Sequence, residues 1–470
     1  MAKRREVDFT SGPLLKKMIL YALPIVGVNV LQLLFTMADL SVLGILTRND
    51  NAIAAVGAAT PIVNLCLAFF TGLSISANIL LARCVGAKDV ERARKIVGTA
   101  IFMSVVFGLL LMVVGVILAE QMLIWTNCDV AVLPYATTYL RIYFIGMPLI
   151  MLYNFCAAIL RAVGDTTRPL IFIIVGGVLN VILNVFFVAA VGLDIEGVAI
   201  ATVVSQGTSA VLSCMVMFKS DGYAKIDKTN LRIDKSVMLK MLEIGAPIAL
   251  SKCLFSFANV LVSAELNSLG ETAMAAQSIT KEFDGVILEV AHGIGAATIA
   301  VVSQNYGAKK MNRIKKVLLL SFLIQCVCTV SLGLLMIVLG RTLCSIMTKT
   351  EEVLDLCMVR ITTISVFYCF LGILNVIMEG VRGIGYSFTA TLISIFSNII
   401  LRLIYIFFFY PWLCIEGNVA HNLKMLYILY PASWLIASIV GVIILIVLFK
   451  KVKARFDRER AANEEPVSVA

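Results

Sequence analysis

Histidine is nearly absent from this sequence, which has only His292 and His421 among its 470 residues. The twelve cysteines include no CxxC pair, and no glycine-rich loop of the P-loop type is present. These absences argue against a zinc or disulfide framework and against ATP hydrolysis. No combination of nucleophile and base stands out either. The sequence therefore predicts a protein that is not an enzyme and has no cofactor of its own.

Charge is also scarce, because Asp, Glu, Lys and Arg make up 14% of the chain while 60% is hydrophobic, with a mean hydropathy of +0.97. A soluble domain cannot bury so much apolar surface in one core. Apolar segments of about 20 to 30 residues recur from end to end, each long enough to cross a bilayer as a helix. They predict an all-α integral membrane protein with twelve transmembrane helices, at 14–45, 52–83, 96–119, 136–160, 169–191, 196–218, 238–267, 273–303, 315–339, 359–380, 388–412 and 424–449.

The net charge of +10 follows a topological pattern. Thirty of the 39 Lys and Arg residues lie in the N-terminal tail, in alternate loops and in the C-terminal tail. By the positive-inside rule, this asymmetry predicts that both termini are cytoplasmic and that the protein resides in the cell (inner or plasma) membrane. The basic residues then suit contact with membrane lipids and do not indicate nucleic-acid binding.

The chain also repeats itself at a shift near 221 residues. The stretch "GAKDVERARK" begins at Gly86 and "GAKKMNRIKK" begins at Gly307, while "NFCAAILRAVG" from Asn154 matches "NVIMEGVRGIG" from Asn375. Pro24 and Pro247, and Asn180 and Asn398, are further equivalent pairs. Four matches in the same order indicate an internal duplication.

Each copy holds six predicted helices, an even number, so both copies have the same orientation in the membrane. We predict an N-lobe at 1–218 (helices 1–6), a cytoplasmic linker at 219–236, a C-lobe at 237–450 (helices 7–12) and a cytoplasmic tail at 451–470. Two pseudo-symmetric lobes of this kind suit a cavity that opens to one side at a time. A duplicated inert scaffold is the alternative.

Several motifs carry a family resemblance. "LPI", "MADLSVLG" and "AIAAVG" in the first two helices, "LRAVGDTTRP" after the fourth, "NVILN" and "IEGVAIATVVSQ" across the fifth and sixth, and "SNIILR" in the eleventh resemble the multidrug and toxic compound extrusion (MATE) family. The resemblance implies an antiporter that exports organic cations and drugs against a sodium or proton gradient. It maps the coupling site of the N-lobe onto Asp39, Asn180, Asn184 and Thr202. Asn184 departs from the aspartate common in relatives, and Phe255 stands where a second branch has a glutamate.

Asp39 lies within about thirty mostly apolar residues, where a carboxylate is disfavoured by roughly 2.5 to 3.5 kcal/mol. It needs a proton, an ion or a polar partner. Asn180 and Asn184 are four residues apart and so share one helix face, and with Thr202 they can offer oxygens to a sodium ion or hydrogen bonds to a protonated acid. The alternative is that these groups only hold helices together.

A second polar cluster is predicted in the eighth helix, "SITKEFDGVILEVAHGIG". Lys281, Asp284 and His292 project on one broad face with Glu289 nearby. One interpretation is a substrate-binding pocket of the C-lobe in which Glu289 or Asp284 attracts a cation, or in which His292 relays a proton. The other is a self-neutralising network, since Lys281 and Asp284 are well spaced to pair.

The expected partners are small cationic or amphipathic molecules, handled by a single chain. The main alternative function is a flippase for lipid-linked oligosaccharide, whose cavity would need cations such as Lys252, Lys281, Arg360 and Arg402. A receptor or scaffold without transport is a third possibility. Sodium ions and protons are both candidate coupling ions.

Overall fold

The computed structural model describes residues 6–46, 50–227 and 231–464; the remaining residues, which belong to the predicted N-lobe, linker and tail, lie outside this description. The described residues form helices and turns without a strand. Long apolar runs become helices because a backbone in hydrocarbon must satisfy its own hydrogen bonds. The first half of the chain forms α1 (Leu14–Leu46), α2 (Asp50–Ala87), α3 (Val90–Trp125), α4 (Leu133–Ala162), α5 (Thr167–Val185), a π-helical turn (Phe186–Ala190) and α6 (Ile195–Phe218).

The second half follows the same plan with more interruptions. It forms α7 (Lys235–Asn267), α8 (Glu271–Gly307), α9 (Met311–Met347), α10 (Glu351–Ile364), a 3₁₀ turn (Ser365–Phe367), α11 (Tyr368–Gly383), α12 (Ser387–Ile395), a π turn (Phe396–Ile400), α13 (Leu401–Ile404), a π turn (Tyr405–Phe409), α14 (Tyr410–Leu413) and α15 (Val419–Glu464). The tenth predicted span is thus built from α10 and α11, and the eleventh from α12 to α14.

Among the described residues, eleven segments are long and apolar enough to cross a membrane. The remaining long helix is α7, predicted as the seventh span, and the side chains of its residues 256–258, 260 and 261 lie outside the description. Its 33 residues give it ample length to cross a hydrocarbon core of about 30 Å. The prediction of an all-α, multi-pass membrane protein is confirmed.

The duplication is visible in unusual backbone conformations. Lys88 and Lys309, which are equivalent in the two "GAK" loops, have positive φ angles of 60° and 55°. Gly164 and Gly385, two residues after the ends of α4 and α11, have φ angles of 87° and 106°, in the left-handed region that glycine adopts without strain. Matching pairs of such rare conformations indicate that the two repeats fold alike at these loops.

The helices divide into two compact units, and the division does not fall at the predicted linker. Unit 1 holds the described residues up to Asp8 and Ile19–Lys252, and unit 2 holds Phe9–Met18 and the chain from Cys253 onward. The boundary therefore lies inside α7. The first half of α7 packs closely on α2, because a Cβ on Gly72 would lie 2.6 Å from the backbone nitrogen of Ala249.

The core of unit 1 surrounds α4. Phe144 and Phe155 of this helix are fully buried, each in a separate apolar cluster shared with α2, α3 and α6. In unit 2 the most buried span is α8, which packs against α9, α10 and α11. Both helices carry many small residues, and these allow neighbouring helices to approach closely.

Candidate functional site

The predicted polar residues of unit 1 meet where α5 packs between α1 and α6. A Cβ on Gly177 of α5 would lie 1.9 Å from the ring of Phe35 in α1, so only glycine permits this approach. At Gly176, the residue before Gly177, a Cβ would lie 2.3 Å from the hydroxyl of Ser209 in α6. The glycine pair therefore places the next turns of α5 against polar groups on both neighbouring helices.

Asp39, Asn180, Asn184 and Thr202 form one continuous chain of polar contacts. The Nδ2 atom of Asn184 donates to Oδ1 of Asp39 at 2.6 Å and lies 3.4 Å from Oδ1 of Asn180. The Nδ2 atom of Asn180 in turn donates to Oγ1 of Thr202 at 3.4 Å. The structure thus brings together all four residues that the sequence assigned to this site, and their role in coupling stays a prediction.

Asp39 is half-buried and has no basic partner among the residues that the structure describes. Asn184 is fully buried, and its Oδ1 atom accepts no hydrogen bond. A buried acceptor without a donor is costly, and so is a carboxylate in a membrane. Carboxylate, amide and hydroxyl oxygens suit a hard cation, and the same groups can hydrogen-bond to a protonated acid.

Two tyrosines that the sequence did not single out also lie near this site. Tyr139 and Tyr143 of α4 have ring centroids 6.1 Å apart, and both lie within electrostatic range of the Asp39 carboxylate. Their spacing of four residues was the available signal, since it puts both rings on one helix face. The π-helical turn Phe186–Ala190, directly after Asn184, was not predictable from periodicity; such turns are frequent at functional sites.

The aspartate of the predicted cluster in α8 pairs with an arginine of another helix. Asp284 forms an ion pair with Arg360 of α10, and both side chains are buried. The ring of Tyr427 packs on the Arg360 guanidinium at 5.4 Å. The alternative in which Lys281 neutralises Asp284 is wrong, because the arginine of another helix takes that place and Lys281 is exposed.

The four predicted residues of this cluster, Lys281, Asp284, Glu289 and His292, also differ in their exposure. Asp284 is buried, whereas Lys281 and His292 are exposed and Glu289 is half-buried. The Nδ1 atom of His292 lies 3.9 Å from a carboxylate oxygen of Glu289. One broad face of a helix can thus be split by its neighbours into buried and open parts. A role in substrate binding stays a prediction for Glu289 and His292.

Comparison with known proteins decides the family. A family model described as MatE matches residues 24–186 and matches again over residues 247–408. The two matched segments together cover more than half of the chain, and each begins at the proline of one repeat. The chain belongs to the MatE family. The family resemblance and the internal duplication predicted from the sequence are confirmed.

Individual relatives of this MatE protein are distant but nearly full-length. The probable multidrug resistance protein YoeA of Bacillus subtilis is 27% identical over 81% of this chain and 84% of its own length. The probable multidrug resistance protein NorM of Thermotoga maritima is 24% identical over 81% of this chain and 82% of its own length. The match therefore extends over the membrane helices of both repeats.

Solved structures support the fold. A crystal structure of MATE in the straight conformation superposes with a TM-score of 0.88 at 20% identity, covering 96% of this chain and all of the other. An outward-facing multidrug resistance MATE family transporter of the MOP superfamily gives the same TM-score at 19% identity over 97% of this chain. At such identities the likeness establishes a MATE transporter fold.

Proposed function

We propose that this protein is a secondary antiporter that exports organic cations, including drugs, in exchange for sodium ions or protons. The polar site around Asp39 in unit 1 binds the coupling ion. The observation that carries the proposal is the 2.6 Å hydrogen bond from Asn184 to Asp39, which holds a carboxylate in an apolar helix without a basic partner among the described residues.

The chemistry follows from the need to neutralise Asp39. A proton or a sodium ion satisfies the carboxylate equally well in charge. The unpaired Oδ1 of Asn184 favours an occupant, because it can coordinate sodium directly or accept from a protonated carboxyl after a small rotation. Loss of the occupant returns a charge to the membrane-spanning region, where it is unfavourable.

Coupling requires that occupied and empty sites favour different conformations. An ion can shift a conformational equilibrium only by its difference in affinity for the two states. If the neutral site favours one packing of α1, α5 and α6 and the charged site another, ion binding and substrate release are linked thermodynamically. Pro24 within α1 gives this helix a position where it can bend, since proline removes an intrahelical hydrogen bond.

The substrates and orientation are part of the same proposal. The names of YoeA and NorM indicate multidrug resistance, which suits small cationic and amphipathic substrates that partition into lipid. The distribution of Lys and Arg supports cytoplasmic termini in the plasma membrane. Each chain holds both repeats, so we expect a monomer to suffice for transport.

A transport assay in reconstituted vesicles tests the function and names the ion. The purified protein is inserted into vesicles, and movement of a cationic dye is followed under a sodium gradient alone and a proton gradient alone. Dye movement driven by one gradient identifies the coupling ion. Asp39→Asn should reduce gradient-driven movement to that of protein-free vesicles, because asparagine cannot exchange a proton or neutralise a cation.

Asp129→Asn is the matched control, because Asp129 is an exposed loop carboxylate whose contact with the backbone of Ala131 asparagine can reproduce. This variant should transport like the wild type. Full gradient-driven export by correctly folded Asp39→Asn protein would remove Asp39 from the mechanism and leave it a structural role.

The flippase alternative needs buried cations that are free to meet an anionic headgroup. Arg360 does not meet this requirement because Asp284 already neutralises it. A flippase function would replace the proposed antiport if no cation moves under either gradient while a fluorescent lipid-linked anion moves between leaflets of the same vesicles.

A further inference from the structure

Unit 2 contains a buried arginine at the position that corresponds to Asn184 of unit 1. The segment "NVILN" from Asn180 aligns with "NIILR" from Asn398, so Arg402 follows Asn398 by four residues as Asn184 follows Asn180. Arg402 lies in α13 between two π-helical turns, and only 1% of its surface is exposed. It is the largest of the fully buried side chains in the described chain.

The contacts of Arg402 repeat the geometry of the Asp39 site with the opposite charge. Its Nη1 atom donates to Oδ1 of Asn259 in α7 at 3.1 Å, and its Nη2 atom donates to Oδ1 of Asn398 at 3.3 Å. In unit 1, Asp39 of the first helix of the repeat contacts Asn184. In unit 2, Asn259 of the first helix of the repeat contacts Arg402. The first helix supplies a carboxylate in unit 1 and a neutral amide in unit 2.

The positive charge of Arg402 has no counter-ion among the residues that the structure describes. No carboxylate pairs with it, and its Nε–H group has no hydrogen-bond partner. The rings of Tyr430 and Phe255 lie 4.8 Å and 5.8 Å from the guanidinium carbon and offer only their negative faces. The buried Arg360 of the same unit is, by contrast, neutralised by Asp284. An uncompensated buried charge is costly unless a further group neutralises it.

We propose that Arg402 is the centre of an anion-binding site in unit 2 whose ligand is a small group of single negative charge, either a chloride ion or the carboxylate of a transported molecule. One cation matches one monovalent anion, and the planar guanidinium presents its unused Nε–H to the ligand. Asn259, Phe255 and Tyr430, which surround the guanidinium, are only half-buried, so the side chains that cover Arg402 are themselves partly accessible.

Trp434 provides a local reporter for this site. Its ring centroid is 5.6 Å from that of Tyr430, which stacks on Arg402, and only 3% of Trp434 is exposed. The other two tryptophans, Trp125 and Trp412, are 67% and 91% exposed and can be replaced by phenylalanine. The fluorescence of the remaining Trp434 then follows changes at the guanidinium without needing transport.

The binding test titrates this single-tryptophan protein with potassium chloride and, separately, with potassium acetate, at constant sodium concentration in a HEPES buffer. We expect a saturable change of Trp434 fluorescence in the millimolar range with at least one anion, and no such change in Arg402→Gln. Lys424→Gln, which removes an exposed cation from the same helix as Tyr430, should respond like the wild type. No saturable response in the wild type, or the same response in Arg402→Gln, overturns the site.

Arg402→Lys keeps the test decisive if the glutamine variant does not fold. Lysine keeps the positive charge and lacks the planar set of N–H donors of the guanidinium, so the affinity for acetate should fall by about tenfold. An unchanged acetate affinity in this variant would also overturn a site organised by the guanidinium.

A transport arm distinguishes the two sources of the anion, and it rests on the proposed antiport function. A cationic xanthene dye with a free carboxylate is compared with its methyl ester. If the ligand is the substrate carboxylate, Arg402→Gln should lower export of the acid about tenfold relative to the ester. If the ligand is chloride, both dyes should depend equally on chloride and on Arg402. Failure of the wild type to move either dye counts against antiport, and the fluorescence result still decides the site.

Discussion

At the residue scale, the half-buried Asp39 and the buried Asp284 have opposite surroundings. Asp39 contacts amides and a hydroxyl, whereas Asp284 contacts the guanidinium of Arg360 and lies beside Tyr368. A residue in the first situation can exchange its counter-ion, and a residue in the second is held by a permanent one. An aspartate side chain thus suits the proposed coupling role in unit 1, and a structural role is expected for it in unit 2.

The Asp284–Arg360 pair should behave as a structural unit in a double-mutant cycle. Asp284→Asn alone leaves a buried guanidinium without its partner and should destabilise the protein by about 3 to 5 kcal/mol. The double variant Asp284→Asn with Arg360→Met removes both charges and should recover most of this loss. Thermal unfolding of the purified protein in detergent measures both. Glu282→Gln, an exposed carboxylate of the same helix, is the control and should have little effect.

Two results would contradict this role. One is a single Asp284→Asn variant as stable as the wild type. The other is a stable double variant that has lost dye export in the vesicle assay, since that would return Asp284 to the substrate pathway.

At the element scale, glycine positions decide how closely the helices approach. In α3, a Cβ on Gly108 would lie 2.5 Å from the Cα of Pro148 in α4. Backbone atoms cannot move aside as the end of a side chain can, so this contact requires the absence of a side chain. Gly57 in α2 has nothing within 4 Å of the position of its missing Cβ. The two glycines look alike in the sequence and differ only in their neighbours.

Replacing each of these glycines by alanine should therefore give opposite results. Gly108→Ala must push α3 away from α4 and should cost about 1 to 3 kcal/mol. Gly57→Ala adds a methyl group in open space and should leave stability unchanged or raise it by up to about 1 kcal/mol. Thermal unfolding of the two variants, side by side, checks the prediction. Equal destabilisation by both would mean that helix flexibility, and not the α3–α4 contact, is what the glycines provide.

The helices themselves were largely predictable because the interior of the bilayer is hydrocarbon. In hydrocarbon, an apolar run of sufficient length has few alternatives to a helix, so the spans follow from hydropathy alone. The turns within a span are different: the π turns at Phe186–Ala190 and Tyr405–Phe409 leave no periodic signal. Partners between helices are also hidden, because Arg360 meets Asp284 through packing and not through helical spacing.

At the scale of the whole molecule, the two repeats share one backbone plan and carry different polar residues at equivalent positions. The repeat was predictable because its loops kept the same residues, as the "GAK" stretches at Gly86 and Gly307 show, and Lys88 and Lys309 in these stretches share the same positive φ. The assignment of residues 9–18 to unit 2 was not predictable, since the sequence places them beside the first repeat. They contact unit 2 through Arg313, whose equivalent in the first repeat is Arg92.

Arg313 and Arg92 should consequently differ in their contribution to stability. The guanidinium of Arg313 donates to the backbone oxygens of Phe9, Ser11 and Gly12 at 2.8, 2.7 and 2.8 Å. The side chain of Arg92 is exposed and makes no hydrogen bond within the described chain. Arg313→Gln removes several charge-assisted bonds at a partly exposed position and should cost about 1 to 2 kcal/mol, whereas Arg92→Gln should be neutral.

Hydrogen exchange separates a local from a global effect of this change. A peptide that covers residues 6–18 should exchange faster in Arg313→Gln than in the wild type, because the amide of Phe9 depends on the docked segment for its bond to Gln304. In Arg92→Gln the same peptide should exchange at the wild-type rate. If both variants loosen the segment equally, the two repeats support it together. If only Arg313→Gln does, the symmetry of the sequence does not extend to the attachment of the N-terminal residues.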